Sequence, residues 1–282
     1  MEILRTIDAV RRACKAARRA GRTVGLTPTM GALHEGHLAL VRAAKASCDF
    51  VVATIFVNPT QFGPNEDFEA YPRTFEADCQ MLTREGVDVL FAPAREEMYP
   101  VGAETWVDVP GVGGRLDGAS RPGHFRGVAT VVTKLFHIVG PDRAFFGQKD
   151  GAQVAVIQAM VRDLNFDVEI VVCPTVRERD GLAMSSRNRN LSADERERAV
   201  VLSGALGRVE RAVEAGLRDV EVLLGMLRDE LRGVRVDYSD IVDPRSLEAV
   251  EDVRGGALVA VAAWVGGTRL IDNVVIEAEV GR

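Results

Sequence analysis

Short apolar runs alternate with segments of helical periodicity along the first two thirds of the chain. The runs typical of buried strands are Val24–Leu26, Phe50–Phe56, Val87–Phe91, Ala144–Phe146 and Val168–Cys173. The segments whose apolar residues recur every three or four positions are Leu38–Ala46, Phe75–Glu85, Val128–Val139 and Gln153–Leu164. Strands that alternate with helices predict a parallel sheet, and therefore an α/β fold.

The pattern changes after Cys173. The segment Val176–Arg187 is polar, and Ser192–Glu195 has the spacing of a capping box that opens a long helix. The apolar stripe of that predicted helix consists of Leu202, Leu206, Val209 and Val213. Strand-like runs follow at Arg235–Val242, Leu258–Trp264 and Leu270–Glu277. We therefore predict an α/β domain over residues 1–175 and a smaller α+β domain over residues 176–282.

Composition limits the classes of partner. The chain has 282 residues, of which 47% are hydrophobic and 27% charged, and no apolar run approaches the roughly 20 residues of a transmembrane helix. Its net charge of −6 argues against nucleic acid or an anionic membrane as the main partner. The 4 cysteines are scattered without Cys-x-x-Cys pairs, as expected of reduced thiols. Apolar residues at helical spacing near the N-terminus predict an opening helix there, with no signal peptide. We expect a soluble cytoplasmic protein.

The segment Thr27–His37 carries the strongest chemical signal. It follows the first predicted strand and leads into a helix, with the sequence His-Glu-Gly-His at its end. Gly31 and Gly36 allow the backbone to approach a ligand, and a helix N-terminus favours anions through its N–H groups and dipole. His34 and His37 add side-chain donors. This pattern predicts a phosphate-binding site.

Two other interpretations of the histidines stay open at this point. His-Glu-x-His is similar to the His-Glu-x-x-His motif of zinc proteases, but that motif needs its histidines four positions apart within a regular helix, which Gly36 disfavours. Alternatively, His34 and His37 have only a structural role as caps of a helix.

Further polar segments follow later strands. Asn58–Phe62 follows the predicted strand Phe50–Phe56, and its amides are suited to hydroxyl and carboxylate groups. Gly147–Asp150 follows the predicted strand Ala144–Phe146, and its Lys149 is suited to phosphate. The carboxyl ends of parallel strands lie at one edge of the sheet, where ligands bind, so we expect these segments to converge. Arg121–Gly127 places two arginines and a histidine before a predicted helix, as either a binding segment or a capped loop.

Taken together, the chain resembles the pantothenate synthetase family, ATP-dependent ligases that join pantoate to β-alanine. The motifs that carry the resemblance are Pro28–His37, Phe56–Phe62, Tyr71–Thr74, Arg121–Phe125, Phe146–Asp150 and Met184–Asn188. They occur in the family's order over nearly the whole chain. His-x-Gly-His alone would indicate only the wider group of nucleotidyltransferases and class I aminoacyl-tRNA synthetases.

The resemblance implies a Rossmann-like N-terminal domain, a smaller C-terminal domain and a homodimer. It implies His34, His37 and Lys149 as catalytic residues, and Gln61 and Gln153 as pantoate-binding residues, with Gln61 also contacting β-alanine. The implied ATP-binding residues are Met30, Gly31, Ala32, Leu33, His34, Glu35, Gly36, His37, Gly147, Gln148, Lys149, Asp150, Val176, Met184, Ser185, Ser186 and Arg187. The loop Met184–Arg187 would correspond to the Lys-Met-Ser-Lys-Ser loop of the synthetases.

The implied reaction has two steps, formation of pantoyl adenylate and its aminolysis by β-alanine, without a covalent enzyme intermediate. Mg²⁺ is expected to accompany ATP, with Asp78 or Asp150 as nearby acidic groups. We expect the polar segment Val176–Arg187 to become ordered over bound ATP. The sequence departs from the family at Thr60, where Met is frequent, and at His137, where Asn is usual. Thr60 is expected to alter the wall of the pantoate pocket.

Three rival functions are considered. A nucleotidyltransferase would use the same histidines without an amine acceptor, and a nucleotide-binding sensor or scaffold would bind without turnover. A fragment of a tRNA synthetase is disfavoured by the acidic charge and by the absence of a recognisable anticodon-binding segment.

Overall fold

Six parallel strands form the first sheet of this computed structural model, which describes residues 1–64, 66 and 68–279. The strand order is β1-β4-β3-β2-β5-β6. The strands are β1 (Glu2–Leu4), β2 (Val24–Thr27), β3 (Phe50–Thr54), β4 (Val89–Phe91), β5 (Arg143–Gly147) and β6 (Glu169–Cys173). From β2 the chain proceeds to β3 and β4 on one side, whereas β5 and β6 lie on the other. The crevice between β2 and β5 is therefore the point at which ligands bind in sheets of this type.

Helices cover both faces of this sheet. They are α1 (Ile7–Arg19), α2 (Glu35–Ser47), α3 (Phe75–Arg84), α7 (His124–Val139) and α8 (Gly151–Asp163). Single helical turns lie between α3 and α7 at α4 (Arg95–Met98), α5 (Pro110–Gly113) and α6 (Asp117–Ser120). Side chains of a strand alternate between faces, so Val51 and Ala53 of β3 pack with α2 and α3, while Val52 packs with α1 and α7. Burial on both faces explains the almost continuous apolar runs.

The second sheet contains three antiparallel strands in the order β7-β8-β9. They are β7 (Arg235–Val242), β8 (Ala257–Val265) and β9 (Thr268–Ile276), preceded by α9 (Ala193–Ala199), α10 (Val201–Glu214) and α11 (Val220–Glu230). Alternate residues of β8 pack into two different hydrophobic cores. Val259 and Val261 pack with α10 and α11, whereas Leu258 and Ala260 belong to the core of the first sheet. The two sheets are therefore joined by shared apolar packing.

The predicted α/β fold with a smaller α+β part is confirmed, and the differences are local. The sequence patterns did not indicate β1, which is only three residues long, or α11. The helix predicted to run on from Ser192 is divided into α9 and α10 at Val200. Within the described ranges, no helix combines the length and the apolar character that a membrane crossing needs.

Candidate active site

The loop between β2 and α2 is held in place by side chains behind it. Asp78 of α3, only 1% exposed, accepts hydrogen bonds from Ala32 N and Leu33 N, each at 2.9 Å. Gly31 has a φ of +84° and Ala32 a φ of +50°, a region that favours glycine. Both carboxylate oxygens of Asp78 are thus engaged by the loop. The Asp78 carboxylate therefore supports the loop backbone. Its expected nearness to Mg²⁺ stays a prediction.

His34 and His37 form a capping box at the start of α2. His34 Nδ1 accepts a hydrogen bond from Gly36 N at 3.2 Å, and His37 Nδ1 accepts one from His34 N at 3.3 Å. Because each Nδ1 is an acceptor, a neutral ring carries its proton on Nε2. The ring centroids lie 4.1 Å apart. The capping role and a role as ligand donors are therefore compatible, since capping leaves each Nε2–H available.

Both imidazoles are held neutral. Burial, followed by the charge of Lys149, lowers the pKa of His34 to about 4. Burial, followed by the proximity of His34, lowers the pKa of His37 to about 3. At pH 7 the two rings are consequently uncharged hydrogen-bond donors.

Lys149 supplies positive charge from the neighbouring loop. It follows β5, and its Nζ lies 3.3 Å from Asp150 Oδ1. Burial opposes ionisation of Asp150, but Lys149 outweighs that effect and lowers its pKa. The ammonium group and the N-terminus of α2 thus flank the crevice between β2 and β5.

A cavity of about 680 Å³ occupies this crevice and extends to the second sheet. It brings together nine of the residues predicted from sequence: Met30, His37, Gln61, Gly147, Lys149, Asp150, Gln153, Ser185 and Arg187. Trp264, Arg269 and Asp272 of the second sheet also line it. The carboxyl edge of the first sheet is thus one wall of a site that both sheets complete.

The other predicted residues lie behind or beside this wall. Gly31, Ala32, Leu33 and Gly36 form the loop backbone, and His34 packs on His37. The exposed Glu35 pairs with Arg42 on the outer face of α2. Gln148 donates to Asn273 Oδ1 at 2.9 Å, and Val176 O accepts from Met184 N at 2.9 Å. Ser186 begins a 3₁₀ helix. Their ligand contacts stay predictions.

A network of contacts positions Gln61, which also lines the cavity. Its Oε1 accepts from Asn58 Nδ2 at 3.0 Å, and its Nε2 lies 3.3 Å from Met30 Sδ. Gly127 allows α7 to approach, because a Cβ there would lie 2.3 Å from Thr60 O. The segment that contains Gln61 is therefore packed closely against α7.

The arginine- and histidine-containing segment before α7 belongs to the same network. His124 Nδ1 lies 2.8 Å from Gln61 O, and His124 Nε2 lies 3.1 Å from Arg121 Nη1. Arg121 pairs with both carboxylate oxygens of Glu66, at 2.6 and 2.7 Å. Burial, followed by Arg121, lowers the pKa of His124 to about 4. A neutral His124 therefore donates from Nδ1 to Gln61 O and accepts from Arg121.

The two departures from the family pattern do not line the cavity. Thr60 donates to Asn58 Oδ1 at 2.9 Å and lies 3.2 Å from Tyr99 Oη. Thr60 therefore adjoins the cavity through Asn58, which lines it. Its expected effect on pantoate stays a prediction. His137 is exposed on α7 and contacts Phe166.

The segment Val176–Arg187 forms a hairpin against the second sheet. Arg177 pairs with Asp272 at 2.6 and 3.1 Å, and Asn188 Nδ2 donates to Glu178 Oε1 at 2.9 Å. Ser185 Oγ accepts from Arg187 N at 3.3 Å and caps the following 3₁₀ helix. Ser185 and Arg187 line the cavity. The same segment lies beside the start of α2, because a Cβ at Gly36 would be 3.9 Å from Met184 Cβ.

Sequence reasoning missed Asn273, Arg177 and the loop-supporting role of Asp78. These residues act through contacts between segments that are distant along the chain, and no local motif marks them. In the described ranges, no group of three or more His, Cys, Asp or Glu residues is arranged to hold a metal ion.

Comparison with known proteins agrees with this geometry. The family model described as pantoate-beta-alanine ligase matches residues 2–275. The pantothenate synthetase of Acidobacterium capsulatum is 67% identical over 258 residues, which cover 90% of this chain and 86% of that protein.

Solved structures give the same result. The crystal structure of pantothenate synthetase from Thermus thermophilus has a TM-score of 0.92 at 48% identity, covering 97% of this chain and 99% of that one. Pantoate-beta-alanine ligase from Francisella tularensis, complexed with beta-gamma ATP and beta-alanine, has a TM-score of 0.78 at 34% identity, covering 98% and 97%. This chain belongs to the pantoate–β-alanine ligase family.

Proposed function

We propose that this protein condenses pantoate with β-alanine through pantoyl adenylate, converting ATP to AMP and pyrophosphate. One observation carries the proposal. His37, Lys149 and Arg187 surround the same cavity that Gln61 and Gln153 line. A donor-rich, positively charged region suited to phosphates thus adjoins amides suited to a small hydroxy acid.

In the first step, a pantoate carboxylate oxygen attacks the α-phosphorus of ATP. The bond to the bridging oxygen breaks, and pyrophosphate leaves with that electron pair. Negative charge grows on the phosphate oxygens in the transition state, so preorganised donors accelerate the step. We assign this role to the Nε2–H groups of His34 and His37, the ammonium of Lys149, and the Ser185–Arg187 segment.

In the second step, the neutral amine of β-alanine attacks the acyl carbon of the adenylate. The amide bond forms, AMP leaves with the electrons of the acyl–oxygen bond, and the amine loses a proton. Neither step needs a covalent bond to the enzyme. We assign contacts with both acids to Gln61, a proposal supported by its place in the cavity lining and by the bond between its main chain and His124.

The remaining ATP contacts follow from the same placement. Met30 to His37 and Gly147 to Asp150 lie on the two sides of the crevice. Ser185 and Arg187 of the hairpin line the same cavity, and Met184, hydrogen-bonded to Val176 O, lies beside Gly36. Gln153 on α8 joins Gln61 at the pantoate end. We propose these segments as the binding sites for ATP and pantoate respectively.

We propose that Mg²⁺ binds together with ATP, coordinated by its phosphates, as part of the substrate. Asp150 brings one carboxylate to the cavity beside Lys149. A single carboxylate, phosphate oxygens and water suit Mg²⁺, which dehydrates reluctantly. Removing Mg²⁺ with a chelator should abolish pyrophosphate formation, and excess Mg²⁺ should restore it.

We propose that the Val176–Arg187 hairpin closes over ATP and shields the adenylate from water. Arg179 at its tip is exposed, so trypsin can test this idea. Cleavage after Arg179 should slow when Mg-ATP is added, while cleavage after the exposed Arg232, which is remote from the cavity, should not change. Equal rates at Arg179 with and without nucleotide would contradict closure.

Three broader features belong to the same proposal. We divide the chain into domains at residues 1–175 and 176–282, assign it to the cytoplasm, and expect a homodimer. The four cysteines, all in described positions, form no disulfide, which suits a reducing compartment. Light scattering of the purified protein would give the oligomeric state.

The deciding experiment measures pyrophosphate and AMP release from Mg-ATP with pantoate, with and without β-alanine. We expect sustained AMP formation only when both acids are present. Sustained pyrophosphate release in which neither turnover nor AMP release depends on an amine would favour a nucleotidyltransferase. Nucleotide binding without turnover would favour a sensor or scaffold.

A further inference from the structure

Asn273 of β9 makes the main polar contacts between the second sheet and the loop that carries Lys149. Its Nδ2 donates to Gln148 O at 2.9 Å and to Lys149 O at 2.8 Å. Its Oδ1 accepts from Gln148 Nε2 at 2.9 Å. Asn273 is 5% exposed, so its amide is directed at this loop rather than at solvent.

Strand β9 and the loop that carries Lys149 are packed closely against each other. Gly151, the first residue of α8, lies directly against Asn273, because a Cβ at Gly151 would be 3.2 Å from both Asn273 Nδ2 and Gln148 Nε2. A buried carbonyl that loses its donor costs free energy, so the backbone at Gln148 and Lys149 has one favoured position. Lys149 is thereby placed by a strand more than 100 residues away.

The preceding residue of β9 holds the other side of the cavity. Asp272, 2% exposed, pairs with Arg177 at the base of the Val176–Arg187 hairpin and also accepts from Asn273 N at 2.8 Å. Consecutive residues on one strand therefore hold the Lys149 loop and the hairpin. A shift of β9 would move both together.

We propose that Asn273 is a positioning residue for adenylate formation, which fixes Lys149 through the main-chain carbonyls of Gln148 and Lys149. This inference rests on the proposed function. Asn273 acts through Lys149, so its removal should lower the rate of the first step and leave the use of β-alanine unchanged. A displacement of about 1 Å in a positioning group can cost up to about a hundredfold in rate.

The test measures pantoate-dependent exchange between pyrophosphate and ATP in wild type, Asn273→Ala, Lys149→Ala and the double variant. We expect Asn273→Ala to slow the exchange about tenfold or more, with the KM for β-alanine in the full reaction within about twofold of wild type. In the Lys149→Ala background the same substitution should have less than a twofold effect, because the group it positions is absent.

Arg115→Ala is the matched control. Arg115 also joins the two sheets, through Nη1 to Ser246 O at 2.9 Å, but it does not line the cavity. Its removal should leave exchange within about twofold of wild type. If Arg115→Ala slows exchange as much as Asn273→Ala does, the effect reflects general contact between the sheets and the proposal is overturned.

Gly151→Ala tests the same contact with little risk of misfolding. Gly151 has helical dihedral angles, φ −55° and ψ −40°, which alanine adopts readily. We expect a melting temperature close to that of wild type, because the helix propensity of alanine offsets the disturbed contact with Asn273. Exchange should slow a few-fold as the added methyl group displaces Asn273. Unchanged exchange in this variant would count against the proposal even if Asn273→Ala did not fold.

The same measurements distinguish failure of the proposed function from failure of the role assigned to Asn273. A wild-type protein without pantoate-dependent exchange would overturn the proposed function. An active wild type, combined with an active Asn273→Ala or with fully additive losses in the double variant, would overturn only the role of Asn273.

Discussion

His34 and His37 illustrate how two capping residues can also provide the hydrogen-bond donors that the proposed mechanism needs. Each ring satisfies a backbone N–H through Nδ1, and this fixes the proton on Nε2. Donors that are already held in position need no reorganisation when negative charge develops on a ligand. They therefore stabilise a transition state more than mobile donors do. Capping is therefore the means by which the sequence orients the two rings.

Substituting His37 tests this argument at a single residue. His37→Ala removes one preorganised donor and should slow pantoate-dependent exchange about a hundredfold, which corresponds to roughly 3 kcal/mol. Exchange kinetics at saturating ATP would measure the change. His137→Ala, at an exposed histidine of the same chain, is the control and should retain the wild-type rate. Nearly full activity of His37→Ala would remove His37 from the mechanism.

At the residue scale, sequence identified groups whose chemistry is local. His34, Gly36 and His37 form one motif, and Lys149 occurs in another. Asn273 and the loop-supporting role of Asp78 were missed because both arise from contacts across the fold, with partners 125 and 46 positions away. An isolated Asn in a strand or Asp in a helix carries no pattern that distinguishes such a role from an ordinary surface position.

At the scale of elements, the buried strands were predicted well and the ends of helices less well. The predicted runs Val24–Leu26 and Phe50–Phe56 match β2 and β3 to within two residues at each end, because strands buried along their whole length have a continuous apolar pattern. β1 is short and mostly exposed, so it has no such pattern. The break at Val200 between α9 and α10 was missed because the apolar spacing continues across it and neither proline nor glycine marks it.

The loop between β2 and α2 depends on α3, and Asp78→Asn tests that dependence. An amide can accept only one of the two N–H groups and places its own NH₂ against the other. We expect a loss of about 3 kcal/mol in the free energy of unfolding, together with slower exchange. Urea unfolding followed by circular dichroism would measure the first effect.

Asp163→Asn is the control for this substitution. Asp163 is exposed at the end of α8 and pairs only with its neighbour Arg162 among the contacts of the described residues. Its replacement should change the free energy of unfolding by less than about 0.5 kcal/mol. If Asp78→Asn were equally mild, the loop would be held by something other than this carboxylate.

For the whole molecule, the two sheets act as one structure. Apolar residues of β8 pack into both cores, and Arg269 of β9 pairs with Asp117 of the first part of the chain at 2.7 Å. Asp117 is 6% exposed and also accepts from Tyr238 Oη at 2.9 Å. Because the cavity lies between the sheets, its shape depends on this packing, which local sequence patterns do not predict.

The buried histidines should make the stability of the whole molecule sensitive to acid. The pKa of His124 is about 4 in the folded protein, against an ordinary value of about 6.5 in the unfolded chain. Between pH 6.5 and 4 the unfolded chain therefore binds a proton that the folded protein excludes. The free energy of unfolding falls as the pH is lowered through this window, by about 1.4 kcal/mol per pH unit for one such group. His34 and His37, with pKa values of about 4 and 3, act in the same direction.

His124→Gln isolates one of these contributions. Glutamine can still donate to Gln61 O but does not take up a proton in this range. Between pH 6.5 and 5.0, the variant should lose about 1–2 kcal/mol less than wild type in the free energy of unfolding, measured with urea without substrates. Carboxylates such as Asp88, whose pKa is lowered, contribute equally to both proteins and cancel in the difference. His137→Gln, at the exposed histidine, should keep the wild-type pH dependence, and the same result for His124→Gln would mean that His124 is protonated in the folded protein.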